Sequence, residues 1–169
     1  MCINRLKKMF GKDDKAKKTN EPKQNDSILE DLLYVLLGMF VAFVAYHALA
    51  FALKTPDPIV TVVSCSMLPT IHRGDLLIIK HVTFNQIVAG RRNGTIVVYN
   101  APNGMLIVHR VWKKYKNGTL WTWGDNNPAP DPWKITMADV IGKVVYIIPK
   151  LGYPKLLIAE ALGEAPRSC

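Results

Sequence analysis

Apolar positions follow two different regimes along this chain. From Leu32 to Leu53 the sequence reads "LLYVLLGMFVAFVAYHALAFAL", 22 residues without a charge. At about 1.5 Å per residue, a helix of that length spans the roughly 30 Å of a bilayer's hydrocarbon core. The pattern therefore predicts a membrane-spanning helix, placed at residues 28–54. A buried core helix is the alternative, and the length, the missing charges and a basic flank weigh against it. A cleaved signal peptide fits less well, because the run exceeds the usual signal core and no A-x-A site with a polar start follows it.

After "KTPDP" the pattern changes to short β-rich runs: "IVTVVS", "LLIIKHV", "TIVVYN", "MLIVHRVWKKY", "TLWTW" and "VIGKVVYII". The turn signals "HRGD", "RRNG", "APNG", "KNG" and "GDNNPAPDP" separate them. This predicts an all-β domain of short strands over 55–150, so that the fold class is mainly β behind one N-terminal helix. "NAPNGMLIV" and "YKNGTLW" predict hairpin turns in which Asn-Gly supplies positive φ. The segment 151–169 holds a short apolar patch, Leu156 to Leu162. It is too short to span a bilayer and is expected to pack on the β-domain or lie on the membrane surface; packing is the simpler reading.

Composition and charge sharpen this picture. A length of 169 residues, 49% hydrophobic, suits one modest domain with an accessory segment. Of the net charge of +9, the polar stretch 1–27 carries eight Lys/Arg against four Asp/Glu. That stretch reads as a flexible tail. A basic cluster abutting an apolar run points to anionic lipid as partner, and nucleic acid is not expected. The same asymmetry predicts a cytoplasmic N-terminus, with everything from Lys54 onward outside. The short tail and single span point to a prokaryotic cell membrane. His47, near the far end of the span, is expected to be an interfacial or packing residue. The cysteines, Cys2, Cys65 and Cys169, are odd in number and far apart, which argues against a disulfide framework and against a metal site.

The candidate chemistry begins at "VVSCSMLPT", Val62 to Thr70. A serine hydroxyl is a weak nucleophile until a base takes its proton. Ser66 is followed by apolar Met67 and Leu68, which suit an apolar substrate or lipid, and by Pro69, which stiffens the turn. If the strand runs on through this stretch, Cys65 points away from the side shared by Ser64 and Ser66. The bases available are His72, His81, His109, Lys80 and the pair Lys113-Lys114. His109, in "LIVHRVW", can take and return a proton near neutral pH. Asp125 and Asp131, in "WGDNNPAPDPW", offer a carboxylate to orient an imidazole. Gly-Asp-Asn-Asn is also a good turn sequence, which accounts for Asp125 without any catalytic role.

These stretches together resemble the type I signal peptidases. "SCSMLPT" resembles their Ser-x-Ser-Met-x-Pro-Thr box, "RGDLLIIK" their Gly-Asp strand, and "HRV", His109 to Val111, the segment that carries the base. Bacterial relatives have lysine at that position. Histidine there, with "GDNN" and then Asp131, resembles the archaeal and endoplasmic-reticulum branch. The resemblance runs from the apolar span to about Pro149. It implies a membrane-bound serine endopeptidase that removes signal peptides from translocated precursors. It implies Ser66 as nucleophile, His109 as general base and Asp131 as the orienting acid. Asp125 falls at a nearby acidic position, Ser64 with the Ser66 backbone N–H would form the oxyanion site, and Met67 would line the substrate pockets. No metal or organic cofactor is needed. Partners would be signal-peptide-bearing precursors, membrane lipid, and the secretory translocon or accessory subunits. The proline-rich "PAPDP" loop departs from many relatives, and the absence of a second span from some.

Three rivals remain at this stage. A serine–lysine peptidase would use Lys80 or Lys113, with its pKa depressed by burial. A self-cleaving repressor-type fold shares that dyad, but the span and the lack of a DNA-binding helix pair argue against it. A non-catalytic, membrane-anchored β-domain would bind a partner through "RVWKKYKNGTLWTW". The simpler reading of that stretch makes Trp121 and Trp123 sheet-packing residues and Lys113, Lys114 and Lys116 a solvated strand end.

Overall fold

The computed structural model describes residues 24–163; Cys2, Cys169 and nearly all of the expected tail lie outside the described residues. The chain divides between Ala42 and Phe43 into two units, and each is considered by itself. The first element, α1, is a helix over Gln24–Leu53. Its stretch Ile28–Leu53 is long and apolar enough to cross a membrane, and its most apolar window is unburied. Leu33, Tyr34, Val35 and Leu36 follow one another round one turn and are all exposed, so apolar side chains cover the helix on every side. A helix of that kind belongs in lipid or in a large protein core.

The second unit is built on one six-stranded antiparallel sheet. Its strands are β1 (Ile59–Thr61), β2 (Leu76–Lys80), β3 (Ile96–Asn100), β4 (Leu106–Lys114), β5 (Leu120–Trp123) and β6 (Val140–Ile148), arranged β1-β2-β6-β3-β4-β5. The mainly β fold expected from the patterning is the one observed. Core side chains cover both faces of the sheet. Val97, Tyr99, Val111, Leu120 and Ile135 fill one cluster, while Val60, Met67, Ile71, Leu77 and Val98 fill the other. Strand β3 lies in the interior of the sheet and feeds both clusters. That is why "IVVY" is a continuous apolar run, where a half-exposed strand would alternate.

The hairpin turns use their Asn-Gly pairs in a different way from that expected. Within these two pairs the glycines, Gly104 and Gly118, take positive φ and the asparagines do not. Asn103 and Asn117 act through their side chains, whose Oδ1 atoms accept the N–H of Met105 and Thr119. This is the local side-chain turn that makes Asn favourable at such positions.

The C-terminal patch forms a second helix, α2 (Tyr153–Ala161). Leu156 is its buried residue, Arg73 pairs with Glu160 at 2.7 Å, and Gly152 N–H donates to Gly74 O. The patch thus packs on the β-domain, while Leu157 and Ile158 remain exposed.

The Trp-rich stretch is sheet-packed, with Trp112 lying 4.9 Å from Trp121 and 5.1 Å from Trp123, ring to ring. Lys114 is not a solvated strand end. Its ammonium donates to the carbonyls of Phe84 and Ile87 at 2.7 and 3.2 Å.

Candidate active site

Strand β1 stops at Thr61, so the serine box is not the continuing strand that its β-branched approach suggested. Residues 65–70 form a turn. The turn is fixed from within and from outside. Leu68 N–H donates to Cys65 O, Ile71 N–H to Met67 O, and the backbone N–H of Asn126 to Ser66 O at 2.8 Å. The Leu68–Pro69 peptide is cis. The strand-based argument about Cys65 therefore loses its footing, yet Cys65 is excluded as a nucleophile on other grounds. Its sulfur is disulfide-bonded and carries no free thiolate. A single bonded cysteine is not the disulfide framework that the number and spacing of the cysteines argued against.

Ser66 Oγ lies 3.0 Å from His109 Nε2. His109 Nδ1 lies 2.8 Å from Asp131 Oδ2. Serine, imidazole and carboxylate thus form one hydrogen-bonded chain, drawn from the turn, from β4 and from the loop after β5. Ser64 Oγ is 3.3 Å from Ser66 Oγ. Among the bases considered, only His109 reaches the Ser66 hydroxyl. Lys113 instead lies over the Trp112 ring at 4.1 Å, Lys80 is exposed on β2 opposite Lys143, and His72 is exposed beside Asp75.

The proline-rich loop is tied down around Asp131. The Asp131 N–H donates to Thr122 O at 3.0 Å, and Trp121 Nε1–H donates to Asp131 O at 2.7 Å. Burial would push the Asp131 carboxyl upward, but hydrogen bonds from His109, Thr122 and Tyr99 outweigh it and hold the pKa below the ordinary carboxylate value.

Asp125, six residues earlier, is taken up elsewhere. Arg110 grips it with two bonds, Nε to Oδ1 at 2.9 Å and Nη2 to Oδ2 at 2.7 Å. Thr70 Oγ1 donates to Oδ2 at 2.6 Å, and Arg91 adds a longer contact of 3.5 Å. Burial opposes ionisation here too, and the arginine and threonine donors overcome it, so this carboxyl also titrates below its ordinary value. Its carboxylate touches neither Ser66 nor His109. It joins the nucleophile's turn to β4.

Gly124 is a further functional position, signalled in the sequence only as part of a turn. A Cβ there would lie 2.7 Å from Ser66 O and 2.8 Å from His109 Nε2. The loop can come this close to the Ser66–His109 pair only without a side chain.

Beside the serine opens a cleft of about 870 Å³, lined by Val60, Val62, Leu106, Val108 and Ile141 among others. Met67 borders it but is 1% exposed and packs in the core, so most of its surface is committed to holding the turn. No group of three or more potential metal ligands occurs among the described residues.

The Peptidase S24-like family profile matches residues 38–145, more than half the chain. The signal peptidase complex catalytic subunit SEC11 of Pyricularia oryzae is 38% identical over 140 residues, covering 76% of this chain and 80% of the relative. The corresponding subunit of Pyrenophora teres f. teres is 37% identical over 153 residues, covering 83% and 84%. That of Tuber melanosporum is 36% identical over 149 residues, covering 79% and 80%. Matched over this share of its length and at this identity, the chain belongs to the type I signal peptidase family.

Proposed function

We propose that this protein is a membrane-bound serine endopeptidase that removes N-terminal signal peptides from translocated precursors, with Ser66 as nucleophile, His109 as general base and Asp131 as orienting acid. The observation that carries this reading is the Ser66–His109–Asp131 hydrogen-bonded chain beside an apolar cleft. His109 Nε2 takes the Ser66 proton as Oγ attacks the scissile carbonyl. The oxyanion is received by the Ser66 N–H and the Ser64 hydroxyl, and such donors act where charge develops. His109 then protonates the leaving amine and later activates water. Asp131 fixes the imidazole tautomer and stabilises the imidazolium. Asp125 holds the framework and does not act on the reacting atoms. The cleft takes the apolar residues before the scissile bond, with Met67 setting one wall from beneath.

Anchored by α1 in a cell membrane, with its N-terminus cytoplasmic, the enzyme meets its substrates in two dimensions. The exposed side of α2 faces lipid. The relatives are named as subunits of a complex, and accessory subunits are accordingly expected here.

The test is cleavage of a precursor by detergent-solubilised protein. Ser66→Ala and His109→Ala should each lower turnover by about 10⁴-fold or more while leaving the fold intact. Activity surviving in His109→Ala would move the base to a lysine, and activity surviving in Ser66→Ala would end the reading.

A further inference from the structure

The chain of groups does not end at the carboxylate. Behind Asp131 lies a second layer of donors on β3, on β5 and in the loop after it. Thr122 Oγ1 donates to Asp131 Oδ2 at 2.5 Å, and the Tyr99 hydroxyl donates to the same oxygen at 2.9 Å. Trp133 Nε1–H points to the Tyr99 oxygen at 3.3 Å. Tyr99 and Thr122 are fully buried. Each hydroxyl has one proton to give. The indole N–H occupies a lone pair on the phenol oxygen and leaves the phenol proton for the carboxylate.

We infer that Tyr99 and Thr122 are positioning residues for the reaction, holding Asp131 ionised and aimed at His109 Nδ1, with Trp133 holding Tyr99 in turn. The inference rests on the role proposed for Asp131 and extends it to residues that are hydrogen-bonded to neither Ser66 nor His109. It accounts for three features together. Two β-strand side chains that sequence patterning reads as ordinary strand formers place their polar atoms on one carboxylate oxygen. That carboxylate stays anionic although buried, because hydrogen bonds to the charged form outweigh desolvation. Burial pushes the Tyr99 phenol well above its ordinary pKa, so it remains a donor throughout the working range. The titratable groups facing Asp131 are His109 from β4 and Tyr99 from β3; Thr122 adds a neutral donor to the carboxylate, and the Trp121 indole one to the Asp131 backbone carbonyl.

The test compares Tyr99→Phe, Thr122→Val and Thr122→Ser with the parent, as full-length protein in detergent. Two readouts are used: steady-state cleavage of a precursor, and proton NMR of the His109 Nδ1–H. Loss of one donor to a charged group should lower kcat about tenfold in Tyr99→Phe and Thr122→Val, with KM unchanged. Thr122→Ser, which restores the hydroxyl, should recover most of it. In the NMR arm, the acid-side transition of the Nδ1–H resonance reports protonation of Asp131. It should move to higher pH in the two variants that lose a hydroxyl, and not in Thr122→Ser. A purely structural role would reduce the folded fraction without moving that transition. Turnover within twofold of the parent, with the transition unmoved, would overturn the inference. The NMR arm needs no turnover. If the parent cleaves nothing, the peptidase reading fails, while the NMR shift still decides whether these hydroxyls hold Asp131.

Discussion

Two carboxylates six residues apart in one loop do different work here, and their partners decide which. Asp131 meets an imidazole and two hydroxyls, whereas Asp125 meets a guanidinium and the turn threonine. Asp131→Asn would leave packing in place but present an amide to His109 Nδ1, favouring the wrong tautomer. Turnover should fall on the order of 10⁴-fold with little change in thermal midpoint. Asp125→Asn should do the reverse, because it strips a largely buried arginine of its counter-charge. A loss of about 3 kcal/mol at neutral pH is expected, with turnover per folded molecule nearly retained. The pH dependence has a fixed sign. The Asp125 pKa is depressed in the folded state, so its contribution is complete above the unfolded value near 3.9 and fades as pH falls through the lower folded value. Urea midpoints of parent and variant measured at pH 7, 5 and 3 should therefore converge at the acid end. A gap that stays constant across that range would show that the charge pair is not its source.

At the scale of elements, the site depends on three pieces arriving together: the turn 65–70, strand β4 and the loop that begins at Gly124. Successive β4 residues serve opposite faces of the sheet. His109, paired with Val97, reaches Asp131, while Arg110, paired with Ile96, reaches Asp125. Gly124→Ala is the sharpest test of this assembly, because its methyl would displace both Ser66 and His109. A shift of that kind costs about 100-fold in kcat/KM. The expected result is a folded protein with that deficit, and an unimpaired variant would mean that the loop yields freely. Strands β2 to β6 were legible in the sequence because each is an apolar run bounded by turn residues. The turn at Ser66 was not. Met67 and Ile71 are apolar and buried, and in sequence they continue the pattern of β1; the bonds within the turn and the tertiary contacts from Asn126 and the core that bend the chain there leave no mark in that pattern. The Asp125–Arg110 clamp and the Tyr99 and Thr122 hydroxyls escaped notice for a related reason. Patterning reports which side a residue faces, not which distant polar group it meets.

For the molecule as a whole, α1 changes the problem the site must solve. On the proposed reading, a precursor held in the membrane by its own apolar segment and an enzyme held by α1 share a plane, and confinement raises their effective concentration without any new contact. The eight basic residues among positions 1–27 favour the cytoplasmic side for the N-terminus. Protease added outside sealed cells should therefore digest the β-domain and spare an epitope at the N-terminus; the opposite result would reverse the topology. The anchor's contribution is separable from the chemistry. Leu37→Arg with Val41→Arg places two charges in the span, each costing about 3 kcal/mol in the apolar centre. The protein should then shift toward the soluble fraction. Cleavage of a membrane-tethered precursor should fall at least tenfold, while a short soluble peptide carrying the same cleavage site is cut as before, because the Ser66–His109–Asp131 chain lies wholly within the second unit. Equal loss on both substrates would mean that the helix is needed for the site itself and not merely for its location.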